Sequence, residues 1–335
     1  MNNVPKTIAV LTSGGDAPGM NACIRAIVLA CERENYTVYG YLHGYNGLLN
    51  QEYTQLHAER VHNLNQLGGT ILHSARCREF KTQDAAERAA ANLDALEVDM
   101  LIVIGGDGSF RGAMHLSNYW DGQIIGIPGT IDNDINGTDA TIGYYTAIET
   151  AVDSIDKVRD TADAFERIFL VEVMGRHAGF LGLSAALASA SDFVLLPELF
   201  ESEAATLKQI GEQLSERREQ RGNISYIIVL AENLWPGGIN KLAEKLQSLT
   251  QSEVRPVILG HVQRGGAPVS QDRIMAMKLG AHAVSLAGSQ TNCVMVGERY
   301  GKPCEVPLPV TWSEPKPLSD SDVNTMKQLM NNRYA

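Results

Sequence analysis

Six short segments of this 335-residue chain carry residue types that handle phosphate, metal and protons. They are Thr12–Gly19 (TSGGDAPG), Gly105–Ser109 (GGDGS), Pro128–Asp134 (PGTIDND), Met174–His177 (MGRH), Ala231-Glu232 and Gly260–Gly266 (GHVQRGG). The first two are glycine-rich, and glycine lets backbone N–H groups approach an anion closely. The third holds two carboxylates two residues apart, Asp132 and Asp134. The rest supply Arg176, His177, Glu232, His261 and Arg264, and guanidinium and imidazole groups suit phosphate oxygens. Glycine turns, acids and arginines gathered in one place are what phosphoryl transfer requires: positioning, a metal ion, charge neutralisation and a base.

Taken singly, each segment has a plainer reading. GGDGS could be a tight turn, and TSGGDAPG a turn ahead of a helix start at Pro18. Thr130–Asp134 could be a solvated acidic loop, Arg176 and Arg264 surface arginines, His261 a structural histidine. What unites the segments is that each follows a short apolar run: Ile8–Leu11, Met100–Ile104, Ile124–Ile127, Ile168–Val173, Tyr226–Leu230 and Val257–Leu259, with further runs at Phe193–Leu196 and Val294–Val296. Glu172 interrupts one of them. Most are rich in Val and Ile without polar alternation, which predicts parallel strands buried on both faces. Asn21–Cys31 and Asp84–Leu96 read as helices, the second with apolar residues three and four apart. Strands alternating with helices predict an α/β fold with mostly parallel sheets, whose ligands bind beyond the carboxyl ends of the strands. Ser215–Asn223 reads as a charged loop or helix end. After Pro315 and Pro317 a terminal helix is predicted, capped by Ser319 or Ser321.

Composition sets the outer bounds. Lys+Arg 28 against Asp+Glu 39 leaves a net charge of −11, which argues against nucleic acid or an anionic membrane as partner. With 44% apolar and 20% charged residues this is a globular chain, long enough for about two domains. No window approaches about 18 uninterrupted apolar residues, and the first residues lack the pattern of a secretory signal. The cysteines Cys23, Cys31, Cys77, Cys293 and Cys304 are odd in number and form no CxxC pair. They predict neither a disulfide framework nor a cysteine zinc site, and they point to the cytoplasm. Cys23 and Cys31 are expected in the core.

LTSGGDAPGMNA, GGT (68–70) with SAR (74–76), IGGDGS, PGTIDND, VEVMGR and LGHVQRGG occur in this order over nearly the whole chain. The set resembles the bacterial ATP-dependent 6-phosphofructokinases, whereas GGDG alone also occurs in NAD kinases and lipid kinases. The resemblance implies two Rossmann-like three-layer α/β domains with mostly parallel sheets and an active site in the interdomain cleft. Residues 1–142 plus 262–312 would bind ATP, and 143–261 plus 313–335 the sugar phosphate. Gly15, Tyr45, Arg76, Cys77, Gly106, Asp107, Gly108 and Ser109 would hold ATP, with Asp107 on Mg²⁺. Asp132 would be the general base at the sugar 1-hydroxyl. Thr130 would hold the transferring group, Asp134 would orient the metal or its water, and Arg176 would stabilise the phosphoryl charge. Fructose 6-phosphate would meet Thr130, Ile131, Asp132, Met174, Gly175, Arg176 and Glu232, with His261, Val262, Gln263 and Arg264 toward its phosphate.

In the family, residues matching Arg167 and Arg255 reach the 6-phosphate of a neighbouring subunit, implying a homo-oligomer, usually a tetramer. Glu166 beside Arg167 suggests an attract-or-repel exchange. An effector site would use Arg25, Arg159 and Asp192. Leu29 and Ala58 stand at its usually basic positions, and Arg217, Arg218 and Arg221 have no clear register, so regulation by ADP or phosphoenolpyruvate is expected to be weakened. Pyrophosphate enzymes commonly carry Asp and Lys where this chain has Gly108 and Gly129, which favours ATP as donor. Arg255 and His261–Arg264 argue against another GGDG kinase, and retention of Asp107 and Asp132 against a non-catalytic nucleotide sensor.

Overall fold

The structure, a computed structural model, describes residues 6–222 and 225–330. In chain order it forms β1 (Thr7–Ser13), α1 (Met20–Arg33), β2 (Thr37–Tyr41), α2 (Tyr45–Asn50), β3 (Tyr53–Gln55), α3 (Ala58–Val61), α4 (Gln83–Ala95), β4 (Met100–Gly105), α5 (Asp107–Leu116) and β5 (Gln123–Pro128). There follow α6 (Tyr144–Phe165), β6 (Ile168–Val173), α7 (Phe180–Ala188), β7 (Phe193–Leu195), α8 (Glu203–Arg221), β8 (Tyr226–Ala231), α9 (Gly238–Thr250) and β9 (Val254–Ile258). The chain ends with α10 (Ser270–Ser285), β10 (Val294–Arg299), β11 (Lys302–Pro307), α11 (Val310–Ser313) and α12 (Asp320–Leu329). Among the described residues no helix is long and apolar enough to cross a membrane.

Contacts divide the chain into two units. One comprises residues up to 131, 135–146 and 264–316; the other 132–134, 147–263 and 317 onward. Residues 1–5 and 331–335 of the anticipated domain ranges lie outside the described residues.

The first unit holds a seven-stranded sheet ordered β11-β10-β5-β4-β1-β2-β3. It is parallel except where β3 and β11 pair antiparallel with β2 and β10. β4 is buried at every position, as a parallel strand covered on both faces must be. The second unit holds a parallel four-stranded sheet ordered β7-β8-β6-β9. Its unbroken apolar runs split by alternation. Phe169, Val171, Val173, Ile227 and Val229 enter one core, while Ile168, Leu170, Tyr226, Ile228 and Leu230 enter the other.

Every apolar run of the sequence lies in or overlaps a strand. One expectation needs correction. β9 is not buried on both faces, because it is the sheet's edge: Arg255 and Pro256 are exposed and Ile258 is 58% exposed. Proline is tolerated there since an edge strand leaves a row of N–H groups unpaired. Strands β2, β3 and β11 have no apolar run to announce them; β3 and β11 are edges, exposed at two of three and three of six positions. Ser215 to Arg221 is the end of α8, and Asn223 lies outside the described residues. Ser319 is the cap of α12, its hydroxyl accepting from Asp322 N at 3.3 Å. Cys23 and Cys31 are buried, and burial pushes both thiols up, Cys31 to about 12.

Candidate active site

In the first unit three strand tips are tied together. β1 ends at Ser13, whose carbonyl accepts from Ser109 Oγ at 3.0 Å. Gly14 then turns with φ +92°, a conformation that favours glycine. The guanidinium of Arg264 lies over Gly15 so closely that a Cβ there would meet its Nη1 at 2.6 Å, and the same nitrogen donates to Asp16 O at 3.1 Å. Arg264, expected at the sugar phosphate, thus stands at the glycine turn. GGDGS is a helix start rather than a free turn: Gly106 caps α5, Asp107 is its first residue, and Ser109 N and Phe110 N close the first turn onto Gly106 O. An acid in that position is favoured by the helix dipole. Gly108 is exposed, with nothing within 4 Å of where its Cβ would lie.

Tyr45 is buried beneath α5. Its hydroxyl donates to Ser109 O at 2.6 Å, and its ring stacks on Phe80 at 4.0 Å. Burial pushes its phenol far up. Cys77 is half-buried with its thiol also raised by burial, while Arg76 is exposed. Past β5, Gly129 N donates to Gly105 O at 3.0 Å and Thr141 Oγ1 to Thr130 O at 2.6 Å, fixing the start of TIDND. A Cβ on Gly129 would meet Ile104 and Met20 side chains at 3.0 Å, so packing as well as donor choice keeps this position small. Ile131 is fully buried, Asp132 is 7% exposed, and Asn133 is left-handed at φ 55°. Asp134 is half-buried, and Asp132–Asp134 group with the second unit.

In the second unit the tips of β6, β8 and β9 meet through side chains. Met174 N donates to Gln263 Oε1 at 2.9 Å, and Arg176 N to Glu232 Oε1 at 2.9 Å. Gly175 turns at φ +139°, where a Cβ would meet Ala178 O at 2.6 Å, so only glycine fits. Arg176 follows at φ 60° with its side chain exposed. Gln263 is buried, whereas His261 and Val262 beside it are exposed. The sequence marks Glu172 only as a break in an apolar run, not as a site residue. Its carboxyl is raised, first by burial and then by the charge of Glu232.

Arg167 and Arg255 converge on Glu253, which the sequence also left unmarked. The hydrogen bond from Arg167, with its charge and that of Arg255, holds the Glu253 carboxyl below the usual range. Arg167 also lies over the Phe165 ring at 4.3 Å, and the neighbouring Glu166 is exposed at φ 52°. Of the effector candidates, Arg159 donates to Ser189 O at 2.8 Å and stands 4.0 Å from Asp192, which Arg217 also contacts. Arg218 turns instead to Ser252 Oγ at 3.0 Å, and the Arg221 side chain lies outside the described residues. Arg25, half-buried on α1, belongs to the first unit.

In the first unit the glycine turns can hold polyphosphate on backbone N–H groups; in the second, arginines can hold an anion and the low-exposure Asp132 can take a proton. A profile of the family described as Phosphofructokinase matches residues 7–287. ATP-dependent 6-phosphofructokinase 2 of Bacteroides thetaiotaomicron is 43% identical over 325 residues, 97% of this chain and 98% of its own length. ATP-dependent 6-phosphofructokinase 1 of Thermus thermophilus is 46% identical over 303 residues, 90% of this chain and 92% of its own. The solved phosphofructokinase from Saccharomyces cerevisiae matches with a TM-score of 0.85 at 32% identity, covering 98% of this chain, which spans 47% of that one. The chain belongs to the phosphofructokinase family.

Proposed function

We propose that this chain transfers the γ-phosphoryl group of ATP to the 1-hydroxyl of fructose 6-phosphate, a step of glycolysis, giving fructose 1,6-bisphosphate and ADP. The observation that carries the reading is the identity of 43% over 97% of the chain to an ATP-dependent 6-phosphofructokinase. Gly15 and the α5 start, Gly106–Ser109, present backbone to the triphosphate. The open space at Gly108 supports a donor larger than pyrophosphate. Tyr45 supports the loop from below, and Arg76 and Cys77 border the nucleotide.

Asp107 suits Mg²⁺: its side chain is 34% exposed at the helix start, with Arg111 Nε 3.7 Å away. Magnesium keeps several waters and takes few protein carboxylates. When bound, the ion neutralises triphosphate oxygens. Asp132 takes the proton from the 1-hydroxyl as that oxygen bonds to the γ-phosphorus, while the bond to the β-phosphate oxygen breaks and ADP leaves. Arg176 and Thr130 hold charge on the moving group, and Asp134 would orient the metal or its water. Met174, Gly175, Glu232 and His261–Arg264 hold the sugar phosphate, with Ile131 backing Asp132.

The chain works as a homotetramer in the cytoplasm, Arg167 and Arg255 serving a neighbour's 6-phosphate. The unpaired edge of β9 and the 60% exposure of Val262 support an oligomer. Effector control through Arg25, Arg159 and Asp192 is weakened, because Leu29 and Ala58 bring no charge. Release of ADP from ATP, Mg²⁺ and fructose 6-phosphate tests the activity. No release, or turnover with pyrophosphate instead, rejects it. Sedimentation as a monomer rejects the tetramer, and strong activation by micromolar ADP rejects the weakened control.

A further inference from the structure

Two histidines that no motif claims stand beside the first glycine turn. His43 lies in the turn before α2, and His73 lies in the loop that carries GGT and SAR. Their rings stack with centroids 5.0 Å apart and planes 11° apart. The backbone enforces this pairing. His43 N donates to Leu72 O at 2.8 Å, tying its turn to the residue before His73. Thr12 Oγ1 donates to His73 O at 2.7 Å, anchoring the loop to β1. Both histidines are left-handed, φ 58° and 57°. Non-glycine residues held in that region cluster at ligand sites, where the surroundings outweigh the strain. Together with Gly15, Asp16, Thr70 and Ser74 the pair lines a cavity of about 470 Å³. Its charged or titratable lining groups are Asp16, His43 and His73, and Arg264 lies over Gly15 at its rim.

We propose that His43 and His73 are donor-binding residues: a proton carried on the stacked pair faces the donor phosphates, so that nucleotide binds more tightly as pH falls. The proposal rests on reading the glycine turn as the donor-phosphate site. Imidazoles change charge between about pH 5 and 8. Two stacked imidazolium ions repel, which opposes charge on both rings at once. A polyphosphate beside the pair favours the charged form, and Asp16 offsets one charge only. Linkage is reciprocal: the donor raises the proton affinity of the pair by the factor by which the proton raises donor affinity.

Calorimetric titration with magnesium and a non-hydrolysable ATP analogue, at about pH 6 and about pH 8, tests this in the wild type and in the double variant His43→Asn, His73→Asn. Asparagine tolerates the left-handed backbone and carries no charge. The wild-type affinity is expected to gain about threefold or more over the variant on going to the lower pH. Equal pH dependence in the two proteins overturns the proposal. So does a parallel drift in the KM for fructose 6-phosphate, which marks a merely structural pair. Should the double variant not fold, ring-proton NMR of the wild type decides. An upward shift of either imidazole midpoint on adding the analogue supports the pair's role, and no shift overturns it. The titration needs no turnover, so a failed kinase assay bears on the activity proposed above and a flat comparison on these histidines.

Discussion

Asp132, 7% exposed in TIDND, is the carboxylate proposed above as the general base. Replacing it by Asn removes the base and keeps the shape. We expect kcat to fall about 10²–10⁴-fold with the KM for fructose 6-phosphate nearly unchanged; steady-state kinetics checks both. Tyr45→Phe removes the hydroxyl that donates to Ser109 O. Losing a buried hydrogen bond costs about 0.5–1.5 kcal/mol. The expected outcome is a lower Tm and a raised KM for ATP alone. Gly15, Asp107, Asp132 and Glu232 could be found in the sequence because each follows an apolar run inside a distinctive string. Glu172, Glu253, His43 and His73 could not. Each is a single polar residue whose partner lies tens of residues away, or follows no strand-like run.

Between elements, Asp272 is the clearest case of a device that has no motif. It is buried in the first turn of α10 and accepts from Gly143 N at 2.9 Å, Thr146 N at 2.7 Å and Thr146 Oγ1 at 2.5 Å, so it caps the start of α6. Burial raises its carboxyl despite these bonds. Asp272→Ala strips the start of α6 of its acceptor and is expected to cost about 2–4 kcal/mol, read by urea denaturation. Strands with both faces covered were readable from composition, since burial on both sides demands unbroken apolar runs. Edge strands were not: β3 and β11 carry no unbroken apolar run, and their pairing comes from the neighbouring strand rather than from their own side chains.

At the scale of the whole molecule, Glu253 links two distant stretches of chain by gathering Arg167 and Arg255. Its folded carboxyl lies below the ordinary value of 4.5. The stability this gives is therefore present above the unfolded value and lost as pH falls through the folded one. Glu253→Gln should be less stable than the wild type near neutrality, and the gap should narrow as the carboxylate is protonated in acid; denaturation at neutral and acid pH checks it. The chain by itself determined the strand-tip motifs, their order and the α/β alternation, because backbone burial and phosphate chemistry each impose a local residue pattern. Only the tertiary structure decided that Arg264 covers Gly15, that two histidines stack beside that turn, and that two arginines share one carboxylate. Such contacts depend on where distant segments come to lie, and no local pattern of side chains encodes that.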